Sequence, residues 1–420
     1  MSDVIGGTVS PDVLASPFAD AAWRGVMRRQ DALPLLPREI LLHAGPPLGG
    51  ESGAAATTVP APIPAPIPAP IRRAALQAIL FEGMADTLDA AAALLDTGAV
   101  RLEPAQDHGV ATPLAQVVSA SMPLAVVGDA HRVAFAPLIE GPPPALRFGT
   151  LAPDARDRLA TVSALGLEQL DAHLRAWPVN MATVIAAALR GGDECHARTG
   201  AANAALVSAL GASPHGTAAA GLGGGAAVAT NANTAGATDA AGAAGTATLD
   251  GDVIGYVAGN PGFVLPILMA TACWHLRRQA DGIAAVGGNG ASFGVRLHGA
   301  QAWHAVAATP PLGTRLPGRE AADPLGAIGD SAVIDFCGLG GQALAYAPQL
   351  LEEWRAWLPA DAMHRRAQLV DDATGIVSLT RMRAAGLAPI VNLAILDRDG
   401  EAGLIGRGSY MPSLALAGAA

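Results

Sequence analysis

Apolar residues recur at helical spacing near the start of the chain, where Leu14, Phe18, Ala22 and Val26 predict a helix over residues 11–31. A short unbroken apolar run, ILLHAGPPL (Ile40–Leu48), predicts a buried strand closed by a Gly-Pro-Pro turn. Helical spacing returns with Leu76, Ile79, Leu80, Met84, Leu88 and Leu95, over residues 72–95. Val100–Leu102 starts a strand, and a polar Gln-Asp-His-Gly cluster at 106–109 leads into a helix-like stretch and a strand at Leu124–Val127. Residues 154–210 are mostly helical in pattern, with breaks near Trp177-Pro178 and at GGDECH (191–196). Beyond Leu249 the pattern alternates. Strands are expected near Val253–Val257, Val295–Leu297, Val333–Phe336, Ile376–Val377 and Asn392–Asp397, with helices at Pro261–Gly282 and Gly341–Trp357.

Two low-complexity tracts interrupt this pattern. Residues 51–71 are a Pro/Ala repeat that favours polyproline II and offers nothing to a packed core. Residues 211–248, rich in Ala, Gly, Thr and Asn, read as a flexible insertion. With 420 residues the chain exceeds one ordinary core. The expected fold class is α+β and multidomain: a mixed N-terminal domain (1–150), a small helical domain (151–248) and a mixed C-terminal domain (249–420).

Composition narrows the function classes. Hydrophobic residues at 51% and charged residues at 15% describe a well-buried globular chain. A net charge of −10 argues against gripping nucleic-acid phosphates, and 4% aromatics leave little to stack on bases. Three scattered cysteines, Cys195, Cys273 and Cys337, give no disulfide framework and fit a reducing compartment. The start, MSDVIGG, lacks a secretion signal, so a cytoplasmic location is expected. Val253–Trp274 is uncharged and long enough to cross a membrane, but its glycines and prolines favour a strand, a GNPG turn and a buried helix. In that reading Asn260 is the N-cap, Pro261 takes the first helical position, and no membrane contact follows.

Candidate chemistry gathers in residues 281–346, which hold two glycine clusters. The first, Gly287–Gly294, fails as a dinucleotide fingerprint because a strand pattern follows it. It matches G-x-S-x-G around Ser292, with Asp330 and His364 as triad partners in order, but a nucleophile elbow needs a helix next. A tight turn before a strand is the plainer reading, leaving Asn289 and Arg296 to touch a ligand. The second cluster, at Gly338, Gly340 and Gly341, follows the β-rich AVIDF and precedes a helix pattern; free N–H groups there suit a phosphate or carboxylate, although a structural turn fits equally.

Acid–base candidates lie elsewhere. Asp193-Glu194-Cys195-His196 offers an acid/base pair in Glu194 and His196, or a helix terminus. A divalent metal held by His196, a carboxylate and His108 is the other option, but no His-x-x-x-His or Cys-x-x-Cys spacing exists, so no cofactor is expected. Asp107 and His108 beside Gly109 form either a carboxylate-positioned imidazole or a solvated loop. Arg296 and Arg407, next to glycine or acidic motifs, are the favoured anion clamps. Asp330 and Asn392 complete the set of candidate ligand contacts.

Taken in order, ILLHAGPPL, ILFEGMAD, PAQDHGVATPLAQVVSASMPL, LRFG, GGDECHART, GGNGASFGVRLHG, GDSAVIDFCGLGGQALAYAP and APIVNLAILDRDGEAGLIGRG resemble the YlbE/AllG family. The resemblance covers most of residues 36–415. The two low-complexity tracts depart from the family pattern. So does GNPGF (259–263), where the family tends to carry an acidic or histidine-containing sequence after the Asn. The resemblance implies an α+β protein and a reversible carbamoyl transfer between phosphate and the nitrogen of oxamate, giving oxalurate. It also implies small anionic substrates (carbamoyl phosphate, oxamate or oxalurate) and work in a homo-oligomer or a hetero-complex with other carbamoyltransferase subunits. In that frame the Gly338–Gly341 turn and Arg296 hold the anion, and His108, Glu194 or His196 moves protons. The alternatives are a non-catalytic anion-binding scaffold, or a serine hydrolase through Ser292. A shared site requires Asp107-His108, GGDECH and both glycine clusters to meet in one cleft.

Overall fold

A computed structural model describes residues 4–5, 8–48, 66–212 and 249–419; most of both low-complexity tracts lies outside them. The N-terminal third runs β1 (Val4–Ile5), β2 (Thr8–Val9), α1 (Pro11–Ala15), β3 (Ala22–Arg28), α2 (Arg29–Ala32), β4 (Ile40–His43), α3 (Ala69–Phe81), α4 (Leu88–Asp96), β5 (Arg101–Pro104), β6 (Pro123–Gly128) and β7 (Val133–Pro137). The helical stretch follows as α5 (Asp154–Ala164), α6 (Asp171–Ala176), β8 (Val179–Asn180), α7 (Met181–Arg190) and α8 (Gly200–Gly211). The last part holds α9 (Gly251–Ala258), α10 (Val264–Arg277), β9 (Ile283–Asn289), β10 (Ser292–Leu297), β11 (His304–Ala307), β12 (Leu312–Arg315), β13 (Ile328–Gly329) and α11 (Ala332–Phe336). It closes with α12 (Pro348–Glu353), α13 (Arg365–Leu369), α14 (Leu379–Ala385), β14 (Val391–Leu396) and β15 (Leu404–Tyr410).

These strands make an α+β architecture of several small sheets. Four strands are ordered β7-β6-β3-β8, four more β11-β10-β9-β13, and three β12-β15-β14, all antiparallel; β4 and β5 form a parallel pair. One buried apolar cluster spans Leu14 to Ala417. At its centre lies α10, buried from Ile267 to Leu276 and packed on β6, β7, β9 and α11. Each aliphatic side chain fully buried there contributes about 1.5–3 kcal/mol. The uncharged run that resembled a membrane span is therefore a core helix, and among the described residues no helix is long and apolar enough to cross a membrane.

Several sequence expectations are corrected. The helix over 11–31 is only α1, a 3-10 turn at Ser16–Phe18 and the start of α2; residues 22–28 form β3, clamped between β6 and β8. Val26 lies within that pairing, and ladder formation overrides the helical spacing. The helix over 72–95 is two, because Gly83 turns the chain with φ 67°. No helix forms between 109 and 122; that stretch makes single bridges to Phe135 and Leu42 instead. Val253–Val257 is helical, capped by Asp250 and packed on α8. Asn260 and Pro261 lie in the turn before α10, which starts at Val264. The range 51–71 overreaches, since Ala69, Pro70 and Ile71 already belong to α3. Val333–Phe336 is helical, and Gly341–Trp357 splits into two 3-10 turns and α12, which starts at Pro348.

Candidate functional site

Asp330 is where distant parts of the chain are tied together. It is fully buried between β13 and α11. Its Oδ1 accepts from Gly45 N (2.8 Å) and Gln106 Nε2 (2.7 Å), and its Oδ2 from Thr112 N (2.9 Å). Burial pushes its pKa up to about 7 against these donors. The glycine at 45 is required: φ is 76°, and an added Cβ would run into the Gly288–Asn289 peptide. Asp330 thus fixes the loop after β4 and the loop after β5 against β9, and sets the position of the next residue, Ser331, at the N-cap of α11.

α11 presents Asp335, which organises a second buried network. Its Oδ2 meets His196 Nδ1 at 2.7 Å; its Oδ1 accepts from Gly341 N (2.6 Å) and Asn392 N (3.1 Å). Glu194, also fully buried, accepts from the amides of His196 (3.2 Å), Ala197 and Arg198 (3.0 Å) and from Asn392 Nδ2 (2.9 Å). Asp193 accepts from Ala201 N (2.5 Å) and Ala202 N (3.1 Å), which caps α8. The loop bends at Cys195, whose φ is 75°. Burial raises the Glu194 carboxyl, and its donors hold that rise back. Burial opposes a charged His196, but Asp335 and Glu194 outweigh it, and the imidazole pKa is raised.

His196 and Ser331 both line a cavity of about 250 Å³. Its walls are mainly apolar, including Leu114, Phe148, Leu265 and Leu393. Two guanidinium groups border it. Arg147 stacks on Phe148 (4.3 Å), donates to Gly141 O (2.5 Å) and lies 3.6 Å from Glu140. Arg407 makes a two-point pair with Glu353 (2.8 and 2.9 Å). Nδ1 of His196 is engaged by Asp335, so Nε2 is the ring nitrogen left for a ligand.

The predicted residues do not share one cleft. Glu194, His196, Gly340, Gly341 and Asn392 converge, and Arg407 reaches the same cavity. Asp107 and His108 do not. His108 pairs with Glu103 (2.9 Å) beside a separate recess near Leu33, while Asp107 takes Arg296 (3.0 Å) and Trp303 Nε1 (3.0 Å). Arg296 is therefore spent on an ion pair, not left to clamp a ligand. Asn289 binds Pro46 O and its own turn, including Ser292 Oγ (3.3 Å). The G-x-S-x-G stretch is a β9–β10 hairpin, as the turn-before-strand reading expected.

The anion cradle is corrected in a specific way. Gly338 N donates to Asp335 O (3.1 Å), Gly340 N to Glu194 O (2.7 Å) and Gly341 N to Asp335 Oδ1. The loop does hold a carboxylate, that of Asp335 in its own chain. For the divalent-metal option, His108 and His196 lie at different sites, and among the described residues no three His, Cys, Asp or Glu group as ligands.

The family model described as oxamate carbamoyltransferase subunit AllG matches residues 100–221 and 226–331, more than half of this chain. The chain belongs to the AllG family. Among relatives of this chain in Escherichia coli K12, the uncharacterized protein YahG is 26% identical over 412 residues, covering 92% of this chain and 78% of YahG. The oxamate carbamoyltransferase subunit AllG is also 26% identical, over 416 residues, covering 89% of this chain and 86% of that subunit. A conserved protein of unknown function from Enterococcus faecalis V583 shares the fold, with a TM-score of 0.77 at 22% identity over 97% of this chain and 94% of that one.

The AllG match takes in Arg147, Glu194, His196 and Ser331, and stops just short of Asp335. Sequence reasoning missed Arg147, Ser331 and Asp335. A signal existed for the last: an aspartate inside the apolar run AVIDF must find a partner when buried. Reading AVIDF as a strand hid the i, i+4 relation between Ser331 and Asp335 that a helix creates.

Proposed function

We propose that this chain is a carbamoyl-transferring subunit that moves a carbamoyl group between phosphate and the nitrogen of oxamate. The observation that carries this is the His196–Asp335 pair, 2.7 Å apart and buried, opening on a small cavity bordered by Arg147 and Arg407. Both substrates are small anions, and the guanidinium groups suit a carboxylate or phosphate. Cleavage of oxalurate breaks a C–N bond, and the departing oxamate nitrogen needs a proton that His196 Nε2 can deliver. In the other direction Nε2 removes it. Asp335 holds the ring orientation and favours the imidazolium that forms. Apolar walls limit water, which would otherwise compete for the carbamoyl carbon. The three cysteines are buried and unpaired, in keeping with a reducing, cytoplasmic setting.

The relative's description as a subunit supports work within a hetero-complex. The test is carbamoyl phosphate formation from oxalurate and phosphate, by the purified chain with and without its complex partners. Formation that is lost in His196→Ala supports the proposal. No formation in either condition, with folded protein and assembled complex, overturns it.

A further inference from the structure

We propose that Ser331, His196 and Asp335 act as nucleophile, base and orienting acid, and that Ser331 takes up the carbamoyl group covalently. The identity of the group rests on the transferase reading above; the nucleophile does not.

Four observations converge on Ser331. It is 3% exposed, yet no hydrogen bond engages its hydroxyl among the described residues, and it walls the cavity with His196. It immediately precedes α11, and Asp335 follows four residues later, so the two project from one side of one turn of helix. Asp335 holds His196 by Nδ1, which turns Nε2 to the opposite side of the ring. The backbone at Ser331 is fixed by its neighbours. Asp330 is held by three donors, and Gly329, at φ 114°, packs so tightly that an added Cβ would lie 2.8 Å from Leu114 N. Ser292, by contrast, has its hydroxyl on Asn289 and does not line the cavity that His196 opens on.

The arrangement has the roles of a serine–histidine–carboxylate set on an unrelated scaffold, which is recognised by geometry and not by chain order. The steps balance. The Ser331 hydroxyl gives its proton to His196 Nε2 as Oγ attacks the carbamoyl carbon of oxalurate. The bond to the oxamate nitrogen breaks, and that nitrogen takes the proton from Nε2. Oxamate leaves, and the carbamoyl ester of Ser331 remains. A phosphate oxygen then attacks the same carbon, its proton passing through Nε2 to Oγ as the ester bond breaks. Carbamoyl phosphate departs and the serine is restored, with no oxidation or reduction at any step.

Two measurements on the assembled complex test this. The first is exchange of isotopically labelled oxamate into oxalurate with no phosphate present. A covalent route gives exchange in the wild type and at least 10²-fold less in Ser331→Ala. Transfer directly to phosphate gives none, and exchange that survives in Ser331→Ala overturns the assignment. The second is labelling by a fluorophosphonate probe, with the site mapped by peptide mass spectrometry. Labelling is expected at Ser331, retained in Ser292→Ala, and slowed in His196→Ala. Ser331→Cys, which keeps a nucleophile of similar size, should move reactivity from the probe to iodoacetamide and controls for misfolding of Ser331→Ala. Labelling at Ser331 with neither exchange nor carbamoyl phosphate formation from oxalurate and phosphate sinks the transferase reading and keeps the nucleophile. Absence of labelling at Ser331 in folded protein overturns the nucleophile whatever the exchange result.

Discussion

Residue by residue, the site depends on two carboxylates with different duties. Asp335 tunes His196 and Glu194 shapes the loop that carries it. With the imidazole pKa raised, the free base accumulates only at a pH above the ordinary histidine value. Where His196 Nε2 first takes the Ser331 proton, the free base is the active form, and oxalurate cleavage should rise with pH through an inflection above about 6.5. Asp335→Asn removes the charge that raises the pKa, so the inflection should move down while the rate falls by about 10²–10⁴-fold; a pH–rate profile measures both. Glu194→Ala strands the His196 amide and Asn392 Nδ2, both buried. Each orphaned donor costs about 1–3 kcal/mol, which thermal melting should register as a lower Tm. Glu194 and His196 were legible because their residue types cluster in four positions. Arg147 was not, because LRFG is ordinary text until the fold stacks it on Phe148 and brings it to the cavity. Asp107 and His108 misled for the converse reason, since a carboxylate beside an imidazole in sequence says nothing of which partners each will find.

Elements decide what those residues can do, and here the sequence was least explicit. AVIDF and the run Val253–Val257 are β-branched and apolar, yet both are helical, because tertiary partners outweigh weak intrinsic preference. The strands β6, β10 and β14 were legible, having apolar runs closed by turn residues. The close approach of the Gly45 loop to β9 offers a direct test at this scale. Gly45→Ala combines a φ of 76° with collision against the Gly288–Asn289 peptide. Gly299 has nearly the same φ, 77°, and open space around it. Gly299→Ala should cost about 1 kcal/mol from backbone strain alone, while Gly45→Ala should cost several-fold more; denaturant midpoints compare them.

Across the whole molecule, the α+β class was readable from the alternation of patterns, whereas the meeting point of the segments was not. Nothing in the sequence said that residues 45, 106 and 112 would converge on 330, since no periodicity encodes contacts that far apart. Asp330 also makes stability depend on pH. Its pKa rises from 3.8 to about 7 on folding, so the native state keeps a proton that the unfolded chain has lost. The stability it supplies is full below about pH 4 and disappears as pH climbs through 7. Asp330→Asn, neutral throughout, should flatten the change in denaturant midpoint between pH 5 and 8. The same residue orders events during synthesis. Gly45 waits 285 residues for its acceptor. Until the ribosome has delivered Asp330 beyond its exit, the loops after β4 and β5 have nothing to close upon, and the wall of the cavity that Ser331 supplies does not yet exist. Leu393 and Arg407, which also border the cavity, come later still, so nearly the whole chain must be made before the chemistry has anywhere to happen, and the incomplete nascent chain is the stage at which chaperone protection matters most.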